Sequence, residues 1–540
     1  MAFSTDAEEK YSLPVGFIFV FNLIIGAGAL NLPLGFEKAG LVLGSIFLAF
    51  LAFLSYVCIT YIIEAQASAN ALLALTEQPQ GTFPSSSSSS SSALASPSLL
   101  PTSSSARLLI LEDESVPLLR DDKPKIERVG VIPASSSSAS ASLSINATEQ
   151  EEETKGELFT MKRRVEMSAM AQMFLGKYGP YIFYVILVIY LYGDLAIYAV
   201  SIPQELTRLT GGWAGVSDDD VYYVYLAGFI ALLGPLCFFN FQKTKYLQLV
   251  TMALRNIAFG MMIIIAFIYI GEGKGAKPKD LKIFNIGGLP ELFGVAIYSF
   301  MCHHSLPSLL TPIANKKQLN KMMFGDVFAI LIYYCTLCIS AVFAFGDEPN
   351  RECEKGPGPP CKIQDLYTEN FLSYDIRAIA YFLNLFPVFS LSSNFPLIAI
   401  TLRNNLMHLF PEPKVRWYKW VKQPLFSLLA ITPPFAIAFG TRNVSILVSF
   451  TGSYAGLFIM FVIPALLLFF SRRKVRALLS SSPPITAAED RGGEEQRDAV
   501  EYNPHRSVFG HWLWLALVLL WSVAALALVT FNHIYSFVKK

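Results

Sequence analysis

Charge is scarce in this chain: 15% of its 540 residues are Asp, Glu, Lys or Arg, and 42 basic against 41 acidic residues leave a net charge of +1. A near-neutral balance without a basic patch excludes the electrostatic footprint of a nucleic-acid partner. Histidine and cysteine are few, at six and seven. Neither falls into a metal-ligand spacing, and no phosphate-cradling glycine loop or nucleophile–base pattern is present. The expectation is therefore no enzyme, no metal and no cofactor beyond a coupling ion. A basic leader is also missing: Asp6, Glu8 and Glu9 precede an apolar run too long for a signal sequence, so a cleaved peptide is not expected.

Apolar sequence is what the chain has in quantity. Hydrophobic residues make up 53% of it, and a membrane span needs about 20 in succession. About eleven such segments stand out, near 15–36, 40–65, 181–202, 222–240, 246–270, 289–313, 322–345, 374–400, 423–440, 444–470 and 510–535. The expected class is an all-α polytopic protein embedded in a lipid bilayer. Basic residues cluster at Lys162–Arg164, Lys243 and Lys245, Lys316–Lys321, Arg416–Lys422 and Arg472–Lys474, all on one side if the N-terminus is cytosolic. Lys274 to Lys282 disagree, falling on the opposite side.

These signals divide the chain into a cytosolic N-terminus at 1–14, spans one and two at 15–65, a Ser-rich loop at 66–160, spans three to ten at 161–470, a cytosolic loop at 471–508, and span eleven with a short tail at 509–540. The loop, with its run Ser85–Ser92, cannot bury enough apolar surface to offset ordering entropy and is expected to be disordered. Within it, Glu114, Leu118 and Leu119 form an acidic dileucine pattern of the kind read by sorting adaptors, which suggests an endolysosomal or a plasma membrane as the address. The amphipathic stretch from Thr160 to Lys177 reads either as a helix lying on the membrane or as an extension of span three. Cys58, Cys237, Cys302, Cys335 and Cys338 lie in spans, as small buried hydrophobes do. Cys353 and Cys361 share a non-cytosolic loop at 347–373 and flank the turn residues Gly356–Pro360, which favours a disulfide between them.

Two spans are interrupted. Span one contains Gly26-Ala27-Gly28 between Asn22 and Asn31, and span six contains Ser299-Phe300-Met301-Cys302-His303-His304 before Pro307. An unwound helix inside a bilayer exposes N–H and C=O groups that hydrocarbon cannot satisfy. It is tolerated where it lines a cavity, and paired breaks in corresponding halves mark a transporter's binding site. Spans one to five and six to ten each begin with such a break, which gives a 5+5 inverted repeat with span eleven peripheral. Gly26, Ala27, Gly28, Ser299, Phe300, Cys302 and His303 are the candidate substrate-binding residues. Adjacent histidines project about 100° apart on a helix, so His303 and His304 are not expected to share a metal. Asp194 in span three and Arg255 in span five are intramembrane charges, the kind of group that marks an ion or proton route.

The Gly-Ala-Gly string, the Ser-Phe-x-Cys-His element at 299–303 and the run from Thr451-Gly452-Ser453 to Pro464 resemble the amino acid/auxin permease superfamily, across every expected span but not the Ser-rich loop. That resemblance implies a leucine-transporter-like fold and an amino acid as the substrate. It also implies a sodium site fed by spans one and eight: Asn22 falls on the span-one position, and span eight offers Ser390, Ser392, Ser393 and Asn394. In some proton-coupled relatives of that wider fold a basic residue on span five stands where sodium would, and Arg255 is similar in position. Arginine holds its proton too tightly to carry it, which leaves Asp194 as proton carrier, or an Asp194–Arg255 pair that only fixes packing. The functional expectation is an amino-acid symporter driven by protons or sodium. The alternative is an amino-acid-sensing receptor that binds without net transport.

Overall fold

The computed structural model describes residues 10–77, 158–210, 217–238, 245–277, 281–346, 362–410, 418–481 and 503–539, and among these the regular structure is helical. Span one consists of two helices, α1 (Leu13–Ile24) and α2 (Gly28–Ala39), bent by 61° at the break. Span two is α3 (Leu41–Glu77). A short α4 (Met167–Phe174) precedes α5 (Gly179–Thr210), α6 (Asp218–Leu233) and α7 (Lys245–Gly271), which are spans three to five. Span six is broken into α8 (Leu289–Phe300), a single 3-10 turn (His303–Ser305) and α9 (Leu306–Leu310). Spans seven to nine are α10 (Leu319–Phe345), α11 (Arg377–Leu409) and α12 (Tyr418–Gly440). Span ten runs from α13 (Val444–Thr451) through two π-helical turns (Gly452–Gly456 and Phe458–Val462) into α14 (Ile463–Ser481). The last helix is α15 (Trp512–Lys539).

Nine of the described helices are long and apolar enough to cross a membrane, and the bent α1–α2 pair makes ten. The remaining expected span is the α8–α9 segment, whose pieces are each too short to cross alone. In lipid, apolar faces gain nothing by meeting each other, so helices associate through close packing of small residues. Here a Cβ on Gly452 would lie 1.9 Å from the Gly294 carbonyl oxygen, so α8 and the π-helical turn of span ten meet backbone to backbone. Helix α15 is peripheral: 22% of its apolar window is buried, against 72% for α3 and for α5.

Three expected boundaries move. Helix α3 continues to Glu77 rather than ending at residue 65, because the polar residues that interrupt the apolar pattern find partners inside the protein. Gln66 donates to Thr311 Oγ1 at 2.8 Å, and the Asn70 amide pairs in both directions with the Arg163 backbone, at 2.8 and 3.2 Å. The stretch before span three is neither a surface helix nor an extension of α5. Gly176, at φ +74°, breaks the chain away from α5, and Phe159, Met161, Val165, Met167 and Met170 are buried where α4 packs on α3 and α14. Helix α14 likewise runs on to Ser481 instead of ending near 470. Beyond it, residues 503–511 dock on the same end of the bundle. Arg472 holds Glu64 in a bidentate pair (2.6 and 2.8 Å), while Glu64 Oε2 also accepts the Ser507 N–H at 2.8 Å.

Candidate functional site

The first break is set by local backbone chemistry. At Ile25, with φ −73° and ψ 91°, the chain leaves helical geometry, and α2 starts again three residues later. Among the described residues the N–H groups of Gly26, Ala27 and Gly28 find no acceptor, while the Gly26 and Ala27 carbonyls accept from Ala29 and Leu30. A row of bare N–H groups at the positive end of a 12-residue helix suits a carboxylate. Opposite it, α8 stops at Met301 (ψ 110°), so the carbonyls of its last turn lose their helical partners.

Both breaks face one cavity of about 750 Å³. Gly26, Ala27 and Gly28 line it from span one, and Asp194 and Tyr198 from α5. From span six the lining residues are Tyr298, Met301, His304, Ser305 and Leu309. Ser299, Phe300, Cys302 and His303, expected at the substrate, point elsewhere. Ser299 donates to the Val295 carbonyl at 2.8 Å, and the Phe300 ring stacks edge-on against Tyr334 at 5.1 Å. Cys302 is fully buried outside the cavity, and His303 Nε2 lies 3.3 Å from the Ser55 carbonyl. The chamber-facing set follows a helical step of about three residues, one position out of phase with the expected set. Helix α8 is buried at every position from Leu292 to Phe300, so its hydrophobic pattern carries no phase.

The chamber extends from mid-depth toward the end of the bundle that carries the N-terminus, where Phe19, Leu249, Leu309 and Thr401 line it. The opposite end is shut. There a Cβ on Gly28 would lie 2.7 Å from Ser299 Oγ, and Lys38 at the end of α2 pairs with Glu291 of α8 at 2.6 Å.

The two intramembrane charges do not pair with each other. The Asp194 carboxylate accepts the Tyr298 hydroxyl in a short hydrogen bond. Arg255 instead turns to the C-terminal end of α1 and donates to the carbonyls of Ile25 and, at 3.1 Å, Asn22. The static Asp194–Arg255 pair is thereby overturned. The Asn22 side chain is held as well, its Oδ1 accepting from Asn256 at 2.6 Å and its amide donating to the Ile18 carbonyl at 2.7 Å. Neither Ser392 nor Ser393 lines the chamber, and Ser393 donates back to the Ser390 carbonyl at 2.9 Å. Asn394, one residue on, does reach it, as do Leu397, Ile398 and Thr401 of the same helix.

Sequence reasoning missed three residues at this site. Tyr334 of α10 stands 3.1 Å from the Ile24 carbonyl and 3.0 Å from the Ser299 carbonyl, so its hydroxyl bridges the two broken spans. Tyr298 caps Asp194, and Asn256 fixes Asn22. For Asn256 the signal was legible, since an amide beside an arginine inside an apolar span needs a partner. The tyrosines were hidden among the chain's other aromatics. Cys353, Cys361 and the Glu114, Leu118 and Leu119 pattern lie outside the described residues, so the disulfide and the sorting element remain expectations from sequence.

The sequence matches the family model for transmembrane amino acid transporter proteins over residues 9–73 and 152–480. It is also similar, end to end, to curated proteins from distant eukaryotes. The Dictyostelium discoideum protein named transmembrane protein 104 homolog is 41% identical over 99% of this chain and 100% of its own length. Human transmembrane protein 104 is 36% identical, with 99% of both chains covered. The Drosophila melanogaster transmembrane protein 104 homolog is 36% identical, with 98% of both covered.

Proposed function

The chain belongs to the transmembrane amino acid transporter family, and from that premise we propose that it is a secondary carrier of amino acids driven by protons. The observation that carries the reading is the pair of broken spans opening onto one chamber. Bare N–H groups at Gly26–Gly28 offer a carboxylate site, and the loosened carbonyls of α8 offer an ammonium site. A zwitterion matches both poles at once.

Proton rather than sodium coupling follows from Arg255. Its guanidinium already satisfies the carbonyls at the end of α1, the group that would otherwise solvate a small cation. Asp194 then provides the titrating group, in contact with both the chamber and Tyr298. With a cytosolic N-terminus, the opening of the chamber at that end supports an inward-facing stage of an alternating-access cycle. The Glu114–Leu119 pattern supports an endolysosomal membrane as the place where such a carrier works.

The test is uptake of labelled amino acids into proteoliposomes under proton and sodium gradients imposed separately. Proton-driven accumulation of at least one amino acid is expected. Saturable binding without uptake under either gradient would overturn the carrier reading and favour a receptor.

A further inference from the structure

Far from the chamber, at the end of the bundle opposite the N-terminus, two acidic side chains are buried together. Glu205 is on the last turns of α5 and is 1% exposed; Glu369 is in the 3-10 turn Tyr367–Phe371 and is 5% exposed. They interlock: Thr368 donates to Glu205 Oε1 at 2.5 Å, and Gln204 donates to Glu369 Oε1 at 3.3 Å. A single guanidinium, Arg208, pairs with Glu369. Two buried carboxylates thus share one cation.

The hydrogen-bond count shows what the cluster lacks. Among the described residues Glu205 Oε2 has no partner, and neither does Gln204 Oε1; Gln204 is 9% exposed and its amide nitrogen is engaged with Glu369. Two buried acceptors on consecutive residues lack a hydrogen. A buried acceptor left unpaired costs about 1–3 kcal/mol, and more where charge is involved. A proton on the carboxylate pair removes the surplus charge and supplies the missing donor.

We propose that Glu205 and Glu369 hold one proton between them, and that this proton locks the segment 362–374 over the outer end of the bundle. The segment is built as a lid. Asn370 ties it internally through the Gln364 N–H (2.9 Å) and the Lys362 carbonyl (2.9 Å). Tyr367 and Phe371 pack edge-on against Phe345, at the end of α10. The turn also packs on α2, the half-helix that closes the chamber from this side, and on α11. Losing the proton leaves two buried negative charges against Arg208, and the segment lifts to let water reach them.

The charged groups that act on the pair are Arg208 on α5 and Asp365 in the segment itself; the elements packed against the turn carry Glu37 and Lys38 on α2, Lys38 being paired with Glu291, and Arg377 at the start of α11. Burial first, with Asp365 adding to it, pushes the Glu369 carboxyl up from 4.5 to about 7 despite Arg208. A group whose value is higher in the locked state favours that state at low pH. Locking is therefore strongest below about 4.5, weakens tenfold per pH unit as pH rises, and is lost above about 7.

Hydrogen exchange on the full-length protein in lipid nanodiscs tests this without any substrate, so its outcome is independent of whether transport is found. After correction for the intrinsic rate, protection of peptides covering 362–374 should fall by about two to three orders of magnitude between pH 4.5 and 7. Peptides from α8 should not change. In E205Q, whose amide supplies the missing hydrogen at every pH, protection should stay high and flat. E369Q, which keeps a neutral acceptor and loses the Arg208 pair, should also be flat. Protection in the native protein that does not change with pH would overturn the proposal. So would E205Q and E369Q profiles that titrate as the native one does.

Discussion

Replacing Gly28 by alanine should separate packing from ligand space at the first break. A Cβ there would lie 2.7 Å from Ser299 Oγ, 2.8 Å from Tyr298 Cδ1 and 2.9 Å from Ser299 Cα. The last of these is a backbone atom that cannot rotate away, so α2 and α8 must move apart by several tenths of an ångström. Overpacking of this kind costs about 1–3 kcal/mol, roughly a 5- to 150-fold shift against the closed arrangement of the two helices. Gly26 is different: a Cβ would meet only the Ile24 carbonyl oxygen at 3.9 Å, an ordinary contact, and its φ is not in the left-handed region. G26A should therefore leave stability unchanged, whereas G26L, reaching into the chamber, should remove transport with stability intact. Thermal unfolding of the purified protein, read beside uptake into proteoliposomes, makes the comparison. G28A should melt a few degrees lower than G26A. Equal melting of the two alanine variants, or a G26L protein that transports normally, would refute the packing argument.

Three further outcomes follow from named contacts. D194N keeps an acceptor for the Tyr298 hydroxyl but cannot titrate, so proton-gradient dependence of uptake should vanish while substrate binding changes by less than about tenfold, one unit of 1.4 kcal/mol; pH dependence like that of the native protein would count against Asp194 as the carrier. R255Q leaves the Ile25 and Asn22 carbonyls short of a cationic donor, a loss of about 1–3 kcal/mol for each. Added sodium should then raise the melting temperature of the variant and not that of the native protein, and equal responses would sink the claim that Arg255 stands in a cation's place. E64Q breaks a buried pair with Arg472 that also anchors Ser507, at a cost of about 3–5 kcal/mol. Tryptic cleavage at Arg506 should accelerate well above the native rate; an unchanged cleavage rate would show that the 503–511 segment is held by other contacts.

Sequence by itself determined the class, the approximate centres of the spans and both interruptions. Continuous apolar runs must be helical in lipid, and Gly26-Ala27-Gly28 and Pro307 weaken helical hydrogen bonding where they stand. It also singled out Asp194, Arg255 and Asn22, since polar groups at that depth always need an explanation. Tertiary structure alone decided which way each side chain faces. Helix α8 is apolar on all sides, so its pattern gave no phase, and only its neighbours turn Tyr298, Met301 and His304 inward while His303 goes to Ser55. Arg255 could have met Asp194 by charge alone, yet the bend at Ile25 brings two free carbonyls within its reach. The pairing of Glu205 with residues 368 and 369 joins positions far apart in the chain, and spacing along a sequence holds no record of such contacts.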